Sequence, residues 1–143
     1  MRTGWLVGLV VLAGWSAGGC TAKRPGELPV YPVKGRATYK GAPMSGAVIT
    51  FFPTGQPAAK ALKSRAYADK DGYYELTTYE LKDGAPEGEY AAVLWWPDKE
   101  RGPDDLETGS EVDRLRRAYD SPEKPKLRFT VKPEPNTIDI TLP

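Results

Sequence analysis

Gly88 to Trp96 reads GEYAAVLWW and is the longest apolar strand-like run of the chain's main body. In a strand, side chains alternate between the two faces. Tyr90, Ala92, Leu94 and Trp96 therefore lie on one face, and Ala91, Val93 and Trp95 on the other. Both faces are apolar, so this strand is either central in its sheet or covered on its outer side. Six further runs have strand character. Val33–Tyr39 (VKGRATY) alternates apolar and polar residues and meets Lys40-Gly41-Ala42-Pro43, a turn signal. Ala47–Phe52 (AVITFF) is β-branched and aromatic and stops at Pro53. Leu62–Ala68 (LKSRAYA) is joined to Tyr73–Thr78 (YYELTT) through Asp69-Lys70-Asp71-Gly72, and Asp-Gly between two such runs predicts a hairpin. Lys126–Val131 (KLRFTV) and Thr137–Leu142 (TIDITL) complete the set, with Ile138, Ile140 and Leu142 on one face of the last run.

One helix is expected. Ser110-Glu111-Val112-Asp113 has the Ser-x-x-acid form of a helix start. Val112, Leu115 and Tyr119 follow at helical spacing, and Asp120-Ser121-Pro122 ends the segment. This helix falls inside the connection from Pro97 to Pro125, the longest in the domain. The pattern predicts an all-β fold, a seven-stranded two-sheet sandwich with one short helix in a long inter-strand loop.

The composition narrows the chemistry. The chain has 143 residues, the size of a single domain, and a formal net charge of +1. It contains no His, which removes the commonest general base and the usual zinc ligand. The near-zero charge offers no electrostatic footprint for nucleic acid. The expectation is a non-enzymatic protein with no cofactor and no metal site.

The first residues carry an address. Met1 to Cys20 reads MRTGWLVGLVVLAGWSAGGC. Arg2 forms a short positive start, Trp5 to Trp15 is an apolar core, and Ser16, Ala17, Gly18 and Gly19 lead to Cys20. This is the layout of a secretory signal over residues 1–19, and it is short for a spanning helix. Cys20 is the chain's single cysteine, so no intramolecular disulfide can form. Ala17-Gly18-Gly19-Cys20 resembles a bacterial lipobox, with Ala17 where the common pattern has Leu. Lipidation of Cys20 would give a membrane anchor through buried acyl chains, at ~0.8 kcal/mol per CH2. Thr21 follows the cysteine, and in diderm bacteria a non-Asp residue there resembles an outer-membrane sorting signal. Residues 20–32, with Pro25, Pro29 and Pro32, read as a semi-extended tether leading to a domain over 33–143.

Several motifs together resemble a family. They are Pro32 to Pro43 (PVKGRATYKGAP), Gly46 to Pro53 (GAVITFFP), Ala68 to Leu76 (ADKDGYYEL), Gly84 to Tyr90 (GAPEGEY), Tyr119-Asp120-Ser121-Pro122 and Asn136 to Ile140 (NTIDI). Spread over nearly the whole mature domain, they resemble the small carboxypeptidase-regulatory-like, transthyretin-like lipoproteins that are numerous in planctomycete bacteria. The resemblance implies a prealbumin-like sandwich exported on a lipid anchor, and it implies no catalytic residues.

Candidate sites remain to be weighed. Asp69-Lys70-Asp71-Gly72 resembles the opening of a calcium loop, with Glu80 at the twelfth position, but its glycine is misplaced and a hairpin turn is the expected role. Transthyretin-like hydroxyisourate hydrolases depend on histidines and a Tyr-Arg-Gly-Ser end, which a chain without His that ends Ile140-Thr141-Leu142-Pro143 does not have. A Lys–Asn isopeptide bond would use Asn136 with Lys34 or Lys40, but Thr78 stands where the proton-shuttling Glu is needed. Trp95 and Trp96 are expected to pack, the outer one beneath the 110–119 helix; an exposed tryptophan in a groove would instead mark a sugar or polymer platform. Asp104, Asp105 and Glu107 lie in a mixed-charge solvated run. The favoured function is a lipid-anchored envelope module for binding, adhesion or structure. The alternatives are a carbohydrate- or polymer-binding accessory module and, third, a hydrolase using carboxylates alone.

Overall fold

A computed structural model describes residues 25–98 and 112–143. The expected signal segment, Cys20, the start of the tether and Asp104, Asp105 and Glu107 lie outside the described residues. The described chain is all-β. In order its strands are β1 (Val30–Tyr31), β2 (Val33–Tyr39), β3 (Ala42–Pro43), β4 (Val48–Pro53), β5 (Ser64–Tyr67), β6 (Tyr73–Glu75), β7 (Ala85–Pro86), β8 (Gly88–Trp95), β9 (Leu127–Val131), β10 (Asn136–Thr137) and β11 (Ile140–Leu142).

Two sheets share one core. In the first, β2 is the spine. β10 and β11 run parallel along one edge of it, and β6 and β3 run antiparallel along the other. The second is antiparallel in the order β5-β4-β8-β9. β1 pairs with β7, so Val30 and Tyr31, read from sequence as the end of the tether, are tied to the domain. The GEYAAVLWW run is central, between β4 and β9. Its inward residues Tyr90, Ala92, Leu94 and Trp96 join the core with Ile49 and Phe51 of β4. Phe51 stacks on Phe129 and tilts against Tyr90, with ring centroids 5.7 Å apart in both pairs. Such pairs contribute about 0.5–1.5 kcal/mol each beyond their burial.

Three sequence expectations change. The 112–119 stretch is a series of turns, not a helix. The Asp113 carboxylate accepts hydrogen bonds from the backbone N–H groups of Trp96, Leu115 and Arg117, at 3.0, 3.1 and 2.8 Å. These bonds hold the segment antiparallel to the end of β8, where Arg114 N–H donates to Trp96 O and Leu94 N–H to Tyr119 O. Arg116 and Arg117 take left-handed φ values of 52° and 61° in a tight turn closed by Ala118 N–H to Leu115 O. The side-chain spacing that suggested a helix is satisfied by burying Leu115 and Tyr119 against the core. The segment therefore packs against the core side, with the Arg114 guanidinium over the Trp96 ring.

The second change concerns the Asp-Gly hairpin. Its turn forms, with Gly72 at φ 81° and Gly72 N–H donating to Asp69 O. The flanking strands then part: β5 joins β4 in the second sheet, and β6 joins β2 in the first. They meet again at a single bridge between Arg65 and Thr77. Third, the last expected strand is interrupted at Ile138 and Asp139, between β10 and β11.

That interruption fits against Gly35. A Cβ built on Gly35 would lie 1.8 Å from the Ile138 carbonyl oxygen, inside any contact distance. Gly35→Ala is expected to destabilise the domain by at least about 3 kcal/mol. Gly41→Ala, at a turn with open space around its Cβ position, is expected to cost about 1 kcal/mol. Urea midpoints of the two variants compare them, and equal losses would count against the close approach. In the opposite direction, Arg116→Gly should stabilise by about 1 kcal/mol, because glycine takes the left-handed conformation without the Cβ clash. A lowered melting temperature would contradict the turn geometry.

Candidate surface groove and its supports

The parting of β5 from β6 opens a groove of about 910 Å³. Its floor is the outer face of the first sheet, where alternation places Lys34 and Arg36 of β2 and Tyr73 and Glu75 of β6. Thr137 and Asp139 of the C-terminal segment extend that floor. Arg65 and Tyr67 of β5 form one wall, and Thr77, Leu81 and Lys82 form the other side. Tyr67, Tyr73 and Leu81 are 65%, 56% and 84% exposed.

Hydrogen bonds keep this surface in place. Gly35 pairs with Tyr74 in the β2–β6 register. The Tyr74 side chain passes beside Gly35, and its hydroxyl donates to the Ile138 carbonyl at 2.6 Å. One phenol thus links three strands beneath the groove floor. Burial, with Asp139 adding to it, pushes the Tyr74 phenol well above its ordinary value. On the Leu81 side, the Asp83 carboxylate accepts from the N–H groups of Thr78, Tyr79 and Glu80 at 2.7, 2.9 and 2.9 Å. Thr78 Oγ1 donates to Gly84 O, and Ser64 Oγ lies 2.6 Å from Thr78 Oγ1. A hydroxyl carries one proton, so Ser64 is the donor in that pair. This relay ties the loop to β5.

On the floor, Arg36 N–H donates to Asp139 Oδ1 and Arg36 Nε–H to Asp71 O, both at 2.9 Å. The Arg36 guanidinium lies 5.4 Å from the Tyr73 ring centroid, a cation–π distance that orients the ring. Lys82 Nζ pairs with Glu75 at 2.9 Å, and this carboxylate holds the ammonium above its ordinary value. Asp69 Oδ1 accepts from the N–H groups of Asp71 and Tyr73, both at 2.9 Å. The groove's three carboxylates are thus each engaged in holding the protein's own structure.

The residues singled out from sequence fall as follows. Cys20 lies outside the described residues. Asp69 caps its turn from within, and Asp71 pairs with Lys70 at the exposed tip. Glu80 sits in the loop that Asp83 clamps. No group of three or more potential metal-ligating side chains occurs among the described residues. The Asn136 side chain is committed to the turn before it, accepting from Lys132 N–H and donating to Lys132 O. Lys34 is in the groove, and the Lys40 ammonium lies over the Tyr39 ring. Trp96 is buried, its indole N–H donating to Ser45 O at 2.8 Å and its ring edge-on to Tyr39. Trp95 is on the opposite face, half-buried in a shallow depression with Val48, Phe52, Tyr67 and Val93. Arg65 and Tyr67 line both this depression and the groove.

The groove residues were individually legible as polar positions of alternating strands. Their assembly was not, because β2, β5, β6 and the C-terminal segment come together through non-local pairings. Comparison with known proteins adds no assignment: no family model matches the chain, and no curated protein or solved structure is significantly similar to it.

The buried phenols give a pH signature. Tyr90 donates to Pro86 O at 2.8 Å, and burial, then Tyr79, pushes its phenol up to about 12. In the unfolded chain both tyrosines ionise near the ordinary value of about 10. The unfolded state therefore loses protons first as pH rises. The tyrosine contribution is complete below about pH 10 and is lost above it, through about 12 for Tyr90. Tyr74→Phe should cost about 1 kcal/mol at pH 7 and make the alkaline loss shallower. Urea unfolding at pH 7 and pH 11 measures both effects; an alkaline loss identical to that of the unmodified chain would remove Tyr74 as a source.

Proposed function

We propose that this chain is a lipid-anchored, non-enzymatic binding module of the bacterial cell envelope, and that the groove is its working surface. The observation that carries the reading is the pair of exposed tyrosines, Tyr67 and Tyr73, presented across the groove on strands fixed by part-buried hydrogen bonds. Exposed rings on a rigid scaffold suit recognition, since little side-chain freedom is lost when a ligand stacks on them. The groove carboxylates are engaged in turns, backbone contacts and the Lys82 pair, which favours binding over acid–base chemistry.

The resemblance to carboxypeptidase-regulatory-like, transthyretin-like lipoproteins is part of the same reading. In it, β2, β4, β5, β6, β8, β9 and the joined β10–β11 are the seven strands of a prealbumin-like sandwich, and the short β1, β3 and β7 are accessory. Residues 1–19 direct export, and Cys20 carries the anchor, on the outer membrane of a diderm cell. Leu28 N–H donates to Tyr79 OH, so the tether leaves the domain beside the loop that carries Leu81 and Lys82. Seven residues lie between Cys20 and Leu28, and the eight steps span at most about 28 Å. The groove is therefore held close to the membrane surface, where envelope polymers are concentrated.

Intact-mass analysis of the protein from bacterial membranes, beside a Cys20→Ala variant, tests the anchor. The expected result is a mature chain beginning at Cys20 with added acyl chains, and loss of membrane retention in the variant. An unmodified mass cleaved at another position would overturn the anchor.

A further inference from the structure

We infer that the groove binds an extended glycan carrying carboxylates at intervals, a sparsely acidic polysaccharide; this rests on the reading of the groove as a binding surface. The charges in the groove are unevenly used. Lys82 pairs with Glu75, and Arg36 is bonded to Asp71 O and stacked on Tyr73. Lys34 on the floor and Arg65 on the wall have no hydrogen-bond or ion-pair partner for their side chains among the described residues. Two available cations, one on the floor and one on the wall of the same groove, call for anionic groups on the ligand. Arg65 can grip a carboxylate with two parallel N–H bonds.

The anionic charge must be sparse. Among the described residues, four cationic and three anionic side chains line the groove. A dense polyanion such as a nucleic acid or polyphosphate would meet Asp69, Glu75 and Asp139 as well as the cations. A chain with a carboxylate on alternate residues can place one near Arg65 and one near Lys34 while neutral residues pass the acids. Beside these charges the exposed rings of Tyr67 and Tyr73 suit the C–H faces of sugar rings. The Thr137, Tyr67 and Tyr73 hydroxyls are positioned for sugar hydroxyl groups.

The main chain argues against a peptide. Ala68 N–H donates to Ala47 O and Leu76 N–H to Val33 O, so Tyr67 and Glu75 turn their own backbone groups toward each other. The hairpin is closed on either side of them, by the Arg65–Thr77 bridge and by Asp69 N–H to Tyr73 O. Only one rung is open, too few for strand addition, which is where extended peptides gain most of their affinity. Recognition by rings and charged side chains on a sheet face is left, and that is glycan recognition.

The test is calorimetric titration of the purified full chain with three probes. They are hyaluronan hexasaccharide, with a carboxylate on alternate sugars, its neutral carboxyl-reduced form, and hexaglutamate peptide. Hyaluronan is expected to bind at least about tenfold more tightly than either of the others. Arg65→Ala and Tyr67→Ala, both at exposed side chains, should each weaken it at least about tenfold, and Lys132→Ala, outside the groove, should leave it unchanged. Equal binding of the carboxyl-reduced form overturns the carboxylate requirement. Preference for hexaglutamate overturns the glycan class while leaving the groove as a binding surface. No binding of any probe, or hyaluronan binding indifferent to Arg65 and Tyr67, overturns the inference. None of these results alters the mass of the mature chain, so the anchor is judged separately.

Discussion

β2 and the C-terminal segment of β10 and β11 lie side by side because residue 35 has no Cβ. The Ile138 carbonyl occupies the place where that atom would sit, and it accepts the Tyr74 hydroxyl from across β2. This one contact joins β6, β2 and the C-terminal segment, drawn from sequence positions about a hundred residues apart. It also breaks the last strand into β10 and β11, since a residue whose carbonyl turns inward cannot continue the ladder. Everything above it on the outer face, including Lys34, Arg36, Tyr73 and Asp139, is a consequence of that packing.

The groove adds a second requirement. Its wall exists because β5 leaves β6 for the other sheet, and its opposite side exists because Asp83 and the Ser64–Thr78 relay hold the 78–84 loop in place. Carboxylates do much of this work. Asp69, Asp83 and Asp113 each gather two or three backbone N–H groups that the irregular segments would otherwise leave without partners. In a chain of many short strands, such bonds replace the ladders that long strands would supply. The same economy explains how acidic residues that resemble a metal loop or a helix cap in sequence serve as local clamps.

Much of the strand pattern was legible. Period-two alternation located β2 to the residue, and the long apolar run located β8 to within one. The central position of Gly88–Trp96 followed from its two apolar faces. Trp96 packs as expected, and Trp95 lies half-buried on the opposite face. The helix expectation fails over 112–119 because Leu115 and Tyr119 satisfy helical spacing while Asp113 and the Trp96 backbone fix that stretch as turns. The hairpin was half right. Asp-Gly determined the turn, but the partners of its strands lie elsewhere in the chain.

The sequence by itself determined where chain direction reverses, which side chains face inward, and that histidine chemistry is absent. These properties depend on neighbours in the chain and on side-chain type. Tertiary structure alone decided that β5 and β6 part, that Gly35 receives the Ile138 carbonyl, and that Lys34, Arg65, Tyr67 and Tyr73 share one groove. These depend on which strand outcompetes which for an edge. That competition is settled by backbone hydrogen bonds and core packing between distant segments, whose register no local pattern encodes.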